Sequence, residues 1–154
     1  MLLRTATLND IAALKDLYFN TITTVNAKDY NAEQTKAWAS TADRIEGLTK
    51  KINEQYFYVA ENTDKKITGF ASLDNTGYLD VMYVHKDFQR QGIAQILLNK
   101  IIETALSLNI TTIESEVSIT AKPFFAKKGF TVVEEQSVII NGVALTNYKM
   151  QCVL

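Results

Sequence analysis

The passage from Tyr78 to Val117 restricts this chain to a small set of folds. Tyr78-Leu79-Asp80-Val81-Met82-Tyr83-Val84 is an aromatic and β-branched run that reads as a strand. Ile110 to Val117 reads as another. Between them, Gly92 to Leu108 sets Ala94, Leu97, Leu98, Ile101, Ala105 and Leu108 on one face, with Asn99, Lys100, Glu103 and Thr104 largely opposite. That spacing predicts an amphipathic helix. A strand, a helix and a strand in that order need a crossover, so the two strands run parallel. The sheet is therefore mixed, because what surrounds this passage is antiparallel in character.

Tyr56 to Ala60 and Ile67 to Leu73 read as strands, separated by the turn Asn62-Thr63-Asp64-Lys65. Asn75-Thr76-Gly77 turns the chain into the Tyr78 strand, which completes a meander. Upstream, Leu2 to Thr7 is a short strand. Asn9 or Asp10 caps a helix carrying Ile11, Leu14, Leu17 and Tyr18. Tyr30 to Ser40 and Asp43 to Asn53 read as two short helices, with Asn31 and Asp43 offering capping oxygens. Downstream, Thr120 caps a helix through Lys128, Pro123 sits in its first turn and Gly129 stops it. Phe130 to Ile140 and Val143 to Met150 flank Asn141-Gly142, a hairpin signal. The expected class is α/β in the α+β sense, with helices on both faces of the sheet.

Composition narrows the function. The 154 residues suit one domain, 1–154, with no linker or repeat to divide it. A net charge of −1 gives no footprint for duplex nucleic acid. No window approaches 18 uninterrupted apolar residues and the start has no signal-peptide character, so the expectation is a cytoplasmic protein with no membrane partner. With one Cys (Cys152) and one His (His85), a Cys/His zinc site cannot be assembled within the chain. His85 falls in a loop expected to face solvent, and Cys152 reads as a structural or free thiol.

The chemistry concentrates between the Tyr78 strand and the long helix. Gln89-Arg90-Gln91-Gly92-Ile93-Ala94 leads into a helix N-terminus, where unpaired N–H groups and the helix dipole favour an anion. Gly92 lets backbone approach a phosphate, Ala94 keeps the next turn small and Arg90 adds charge. One glycine in the loop excludes a dinucleotide fingerprint, and the missing Gly-Lys-Ser/Thr excludes a Walker loop.

Tyr83-Val84-His85-Lys86-Asp87-Phe88-Gln89-Arg90-Gln91-Gly92-Ile93-Ala94 together with Ser118-Ile119-Thr120-Ala121-Lys122-Pro123-Phe124-Phe125-Ala126-Lys127-Lys128-Gly129-Phe130 resembles the GNAT superfamily of acetyl-CoA-dependent N-acetyltransferases. The element order fits that family over essentially the whole chain. Tyr30, Ala32-Glu33-Gln34 and Ala37-Trp38-Ala39 resemble a YafP-like bacterial branch of it. The resemblance implies a mostly antiparallel, seven-stranded GNAT-like sheet with a C-terminal hairpin. It implies acetyl-CoA as acetyl donor, an amine-bearing acceptor, direct transfer in a ternary complex and no metal.

The resemblance also implies roles. Gln89, Arg90, Gln91, Gly92, Ile93 and Ala94 would cradle the pyrophosphate. Met82, Tyr83 and Val84 would pair with the pantetheine and polarise the thioester carbonyl, and Ser118 and Phe125 would contact the cofactor arm. The family commonly has Asn at Ser118 and a proton-donating Tyr at Phe125, so here water, Ser118 or a Tyr from elsewhere, such as Tyr148 on the last strand, would supply the proton. Tyr30, Gln34 and Trp38 would wall the acceptor cleft, or else pack the core. Asp80 is the lone carboxylate of its strand. Alternation sets it beside Met82 and Val84, as a general base or as a strand-end carboxylate paired with a lysine. Lys50, Lys51, Lys65 and Lys66 read as solvated surface. A non-catalytic acyl-CoA-binding module is the alternative that Phe125 keeps open. A homodimer is the base-rate expectation for assembly.

Overall fold

The computed structural model describes the backbone of all 154 residues and every side chain except those of Ile45 and Glu46. Strand β1 (Leu2–Thr5) leads into helix α1 (Ile11–Thr24), followed by α2 (Ala32–Ala39) and α3 (Ile45–Glu54). The meander β2 (Tyr56–Glu61), β3 (Ile67–Leu73) and β4 (Leu79–Val84) comes next. Then come α4 (Ile93–Ser107), β5 (Thr112–Ser118), α5 (Lys122–Lys127), β6 (Thr131–Ile140) and β7 (Val143–Val153). This is the expected order, joined by three short 3₁₀ turns.

Three capping assignments change. Asp10 stands at the N-cap position of α1, but its carboxylate makes no cap bond to that helix and accepts the Thr7 N–H at 2.8 Å instead. Asn31 caps α2 as expected, in a reciprocal box with Gln34: Gln34 N–H donates to Asn31 Oδ1 at 2.8 Å and Asn31 N–H to Gln34 Oε1 at 2.9 Å. Asp43 does not cap α3, which starts one residue later, after Arg44. Nor does Thr120 cap α5. The Ser118 hydroxyl accepts the Ala121 N–H at 3.1 Å instead, while Thr120 Oγ1 is buried without a partner.

The seven strands divide into an antiparallel sheet β1-β2-β3-β4 and an antiparallel sheet β5-β7-β6. The predicted parallel pairing of β4 with β5 shrinks to one bridge, Tyr78 with Glu114. Two further ties reinforce it: Glu114 N–H donates to Gly77 C=O at 3.0 Å, and the buried Ser115 hydroxyl donates to Leu79 C=O at 2.8 Å. Beyond Leu79 the two strands pair with nothing between them.

The first sheet is packed on both faces, and β3 is buried along its whole length. Leu97, Leu98 and Ile101 of α4 cover one face with Ala71, Leu73, Ile113 and Met150. Leu14 and Leu17 of α1 cover the other with Phe57, Val59 and Phe70. Gly69 permits the close approach of α4. A Cβ there would lie 2.9 Å from Ile93 Cγ2, 3.0 Å from Leu97 Cδ1 and 3.1 Å from the Tyr83 carbonyl oxygen. At the outer edge, Arg4 spans three elements, donating to both Asp10 oxygens at 2.9 Å and to Glu61 Oε2 at 2.8 Å.

Two outcomes follow from this packing. Gly69→Ala overpacks the α4–β3 contact and lowers unfolding free energy by about 1–3 kcal/mol, measured by urea titration. The Arg4 hydrogen bonds hold the Asp10 carboxyl below its ordinary 3.8, against the opposing effect of burial. The stability that Asp10 supplies is therefore complete above about pH 4 and is lost as pH falls through the lowered value. Asp10→Asn flattens this acid limb in denaturation midpoints taken between about pH 6 and about pH 2.

Candidate active site

The site is built where the two sheets part. The residue pairing of β3 with β4 shifts between Ser72, opposite Val81, and Leu73, opposite Leu79, which leaves Asp80 as the extra residue of a β-bulge. The bulge overturns the expected alternation. Leu79 joins the α4 side of the sheet with Met82 and Val84, whereas Asp80 turns toward α3 on the side of Val81. Its Oδ2 accepts from the Lys51 ammonium and from Gln55 Nε2, the latter at 2.8 Å. Lys51, expected as solvated surface, is thus an ion-pair partner, its side chain 33% exposed. Asp80 Oδ1 takes no donor among the described residues.

Past the bulge, β4 presents a free edge. His85 N–H donates to Thr68 C=O of β3 at 2.8 Å. Successive residues of a strand turn their polar groups to opposite edges, so Tyr83 addresses β3 while Met82 and Val84 address the gap. The Val84 carbonyl is already satisfied, by Thr21 Oγ1 at 3.0 Å and Gln89 Nε2 at 2.7 Å. Met82 N–H and C=O and Val84 N–H remain to be paired by whatever enters.

The same strand runs on into a loop that opens α4 without a side-chain cap. Arg90 and Gly92 both adopt left-handed conformations, with φ 59° and 83°. Such alternation turns successive N–H groups into one concavity. Gly92 stands at the N-cap of α4 with no side-chain cap, and Ile96 N–H to Gly92 C=O is the bond that opens the helix. The N–H groups ahead of it are therefore free for a ligand. A Cβ on Gly92 would meet no atom within 4 Å, so the space in front is open. Ile93 is buried and offers only its backbone; Arg90 and Gln91 are exposed. Gln89 acts through the loop, its side chain gripping Val84 C=O.

The remaining expected residues have varied fates. Phe125 is 4% exposed and packs edge-on against Phe124 and Phe130, at 5.4 and 5.0 Å. Tyr148 lies on β7 opposite Val117, against the cluster that holds Phe125 and Met82, with Lys122 Nζ 4.1 Å from its ring centre. Desolvation and the neighbouring Glu135 carboxylate hold its phenol above the ordinary value, so it stays protonated. Tyr30 is a clamp: its hydroxyl donates to Thr146 C=O at 2.6 Å and accepts from Ile119 N–H at 2.9 Å. Gln34 Nε2 donates to Ala144 C=O at 3.0 Å, so both ends of that side chain serve the fold. Trp38 stands edge-on to Tyr30 at 5.4 Å. His85 is more enclosed than its loop suggested, its side chain 12% exposed against Phe88, and burial lowers its pKa. The residues missed in the sequence are Lys51, Gln55, Thr21 and Ser115, ordinary polar side chains whose importance comes from what they tie.

A free strand edge feeding an uncapped helix N-terminus, beside a fork between two sheets, is the framework of an acyl-CoA-dependent transferase. The sequence matches the acetyltransferase (GNAT) domain over residues 26–152. The chain belongs to that family and is an acyltransferase. It is 30% identical over 142 residues to the uncharacterized N-acetyltransferase YafP of Escherichia coli K12, covering 92% of this chain and 89% of that protein. The crystal structure of a GCN5-related N-acetyltransferase from Rhodopseudomonas palustris superposes with a TM-score of 0.95 at 29% identity, over 99% of this chain and 95% of that one. PaiA N-acetyltransferase from Thermoplasma acidophilum, solved in complex with coenzyme A, shares the fold at a TM-score of 0.80 and 18% identity, over 99% and 98% of the two chains.

Gly92→Glu sets a side chain and a negative charge into the cradle at a left-handed position. Coenzyme A affinity falls at least about tenfold in calorimetric titration, an effect of roughly 1.4 kcal/mol or more. An unchanged affinity would show that the anion binds elsewhere.

Proposed function

We propose that residues 1–154 form one GNAT-like domain that moves an acetyl group from acetyl-CoA to the amine of an acceptor, directly, in a ternary complex. One observation carries the reading: the unpaired edge of β4 and the uncapped start of α4 are consecutive. A ligand with an amide-bearing arm and a pyrophosphate at its far end fits that succession. Met82 and Val84 would pair with the pantetheine arm, and the loop from Gln89 to Ala94 would take the phosphates.

In this reading the N–H of Met82 or Val84 polarises the thioester carbonyl. A single such donor is worth about 3 kcal/mol where charge develops. The acceptor nitrogen forms a bond to the carbonyl carbon as the C–S bond breaks. Before this attack the acceptor's ammonium gives one proton to Asp80 Oδ1, directly or through one water, which frees the nitrogen lone pair; the nitrogen's second proton leaves to solvent as the amide forms. The leaving sulfur takes a proton from Tyr148. A thiol of pKa about 8.5 leaves tolerably as thiolate, so this acid assists without being indispensable. Phe125 has no proton to give, and its ring keeps water from the back of the fork. Tyr30 is buried and Trp38 half-buried, so Trp38 is the ring that the α2 side would offer to an acceptor, with Tyr30 and Gln34 supporting it from behind.

Calorimetric titration with acetyl-CoA and with coenzyme A, followed by coenzyme A release across a panel of primary amines, tests the proposal. Saturable binding with amine-dependent release is the expected result. Binding without release from any amine would favour the non-catalytic module instead. No binding at millimolar ligand would end the acetyltransferase reading. Once an acceptor is in hand, Tyr148→Phe lowers kcat by about tenfold with the acetyl-CoA KM unchanged, the pattern of a lost proton donor.

A further inference from the structure

We infer that Lys51 and Gln55 of the α3 end are positioning residues that lock the Asp80 bulge and so aim the Met82 N–H into the cleft. The inference rests on the acetyl-transfer reading above and concerns the helix that reading leaves without a role.

An extra residue in a strand breaks the local ladder and bends the chain, and a bulge needs support to hold one geometry. Here the support is a continuous chain of hydrogen bonds. The fully buried Ser72 donates its hydroxyl to Gln55 Oε1 at 2.8 Å. Gln55 Nε2 donates to Asp80 Oδ2 at 2.8 Å, and the Lys51 ammonium meets the same oxygen. Ser72 pairs with Val81, on one side of the irregularity; Asp80 is the irregularity itself. The chain therefore bridges the bulge from its regular neighbour. Lys51 and Gln55 are one helical turn apart, and Gln55 N–H closes onto Lys51 C=O at 2.9 Å. The two donors consequently reach Asp80 from one rigid terminus. Leu79, on the other flank, is fixed by the Ser115 hydroxyl. Both sides of the bulge are thus held from the side-chain layer, and Met82 follows two residues later on the open edge.

Placement of a catalytic donor is sensitive: a displacement of about 1 Å costs up to about 100-fold in rate. A lock of this kind acts on the acetyl end of the ligand and leaves the phosphate cradle alone. Lys51→Met and Gln55→Leu test it, with Lys51→Arg as the conservative variant that keeps an ion pair. The ¹⁵N–¹H resonances of Met82 and Val84 in the ligand-free protein report the bulge directly. Calorimetry with coenzyme A and acetyl-CoA reports the two ends of the ligand separately.

The expected result has three parts. The Met82 and Val84 resonances move in Lys51→Met and Gln55→Leu and return in Lys51→Arg. Coenzyme A, whose pantetheine arm pairs with the same edge, loses less affinity than acetyl-CoA, so that the preference for acetyl-CoA over coenzyme A, about threefold or more for one added hydrogen bond, is lost. With an acceptor, the plateau of the pH–rate profile falls about tenfold or more in both variants, including Gln55→Leu, which removes no charge. Resonances and acetyl preference unchanged in both variants overturn the inference. So does a shifted acid limb on an unchanged plateau, which would make Lys51 an electrostatic neighbour of Asp80 and nothing more. Failure of the parent protein to bind either ligand would count against acetyl transfer. The lock would then stand or fall on the Met82 and Val84 resonances alone.

Discussion

The divergence of β4 from β5 is the constraint on which the rest of this structure depends. A parallel crossover brings the two strands together at Tyr78 and Glu114, and the bulge at Asp80 then turns β4 away before a ladder can form. The result is a sheet edge in the middle of the molecule, where an edge would ordinarily be paired or covered. The unpaired groups are few: Val84 C=O is claimed by Thr21 and Gln89, which leaves a short stretch of backbone at Met82 and Val84. In the function proposed above, a flexible ligand would complete the hydrogen bonding there at little cost in protein reorganisation.

The second half of the cradle comes from the same strand through a different device. Left-handed backbone at Arg90 and Gly92 brings β4 into α4 without a capping side chain, so the helix start stays open. Gly69 then lets α4 settle directly on β3. The position of the α4 start is thereby fixed by core packing, on the far side of the sheet from α3. The free edge of β4 and the open start of α4 are thus set by two independent layers.

Most of the architecture was legible in the sequence because it follows from periodicity and turn chemistry. The 3.6-residue stripe from Ala94 to Leu108, the alternation in β2 and the Asn141-Gly142 turn each specify local structure without reference to anything distant. The loop that leaves the start of α4 uncapped was legible for the same reason, being one contiguous run. The side chains around the fork were not. Alternation set Asp80 beside Met82, and a single extra residue reversed it, because a bulge inverts the facing of everything on one side of it. Lys51 looked like solvent-facing charge, since its partner lies 29 positions away. Tyr30 and Gln34 were legible as a cluster, but the partners of their polar ends were not. Their polar ends bond backbone on β7, more than 100 positions on, and no spacing rule anticipates that.

The Tyr30 clamp has a mechanical consequence. One phenol oxygen joins Ile119, just past the end of β5, to Thr146 of β7, and belongs to a segment that precedes α2. The β6–β7 turn docks on the far end of the same segment, where Asn141 Nδ2 donates to Ser40 Oγ at 2.7 Å and Arg44 donates to Asn141 Oδ1 at 2.8 Å. With the Gln34–Ala144 bond between them, the second sheet is consequently strapped at three separate points to a segment that is packed against α1 and so rides with the first sheet. Several attachments resist rotation where one would act as a pivot. The gap between the sheets is therefore a wedge of set angle, and a change in acceptor preference would come from reshaping the strap, without widening the slot that receives the donor.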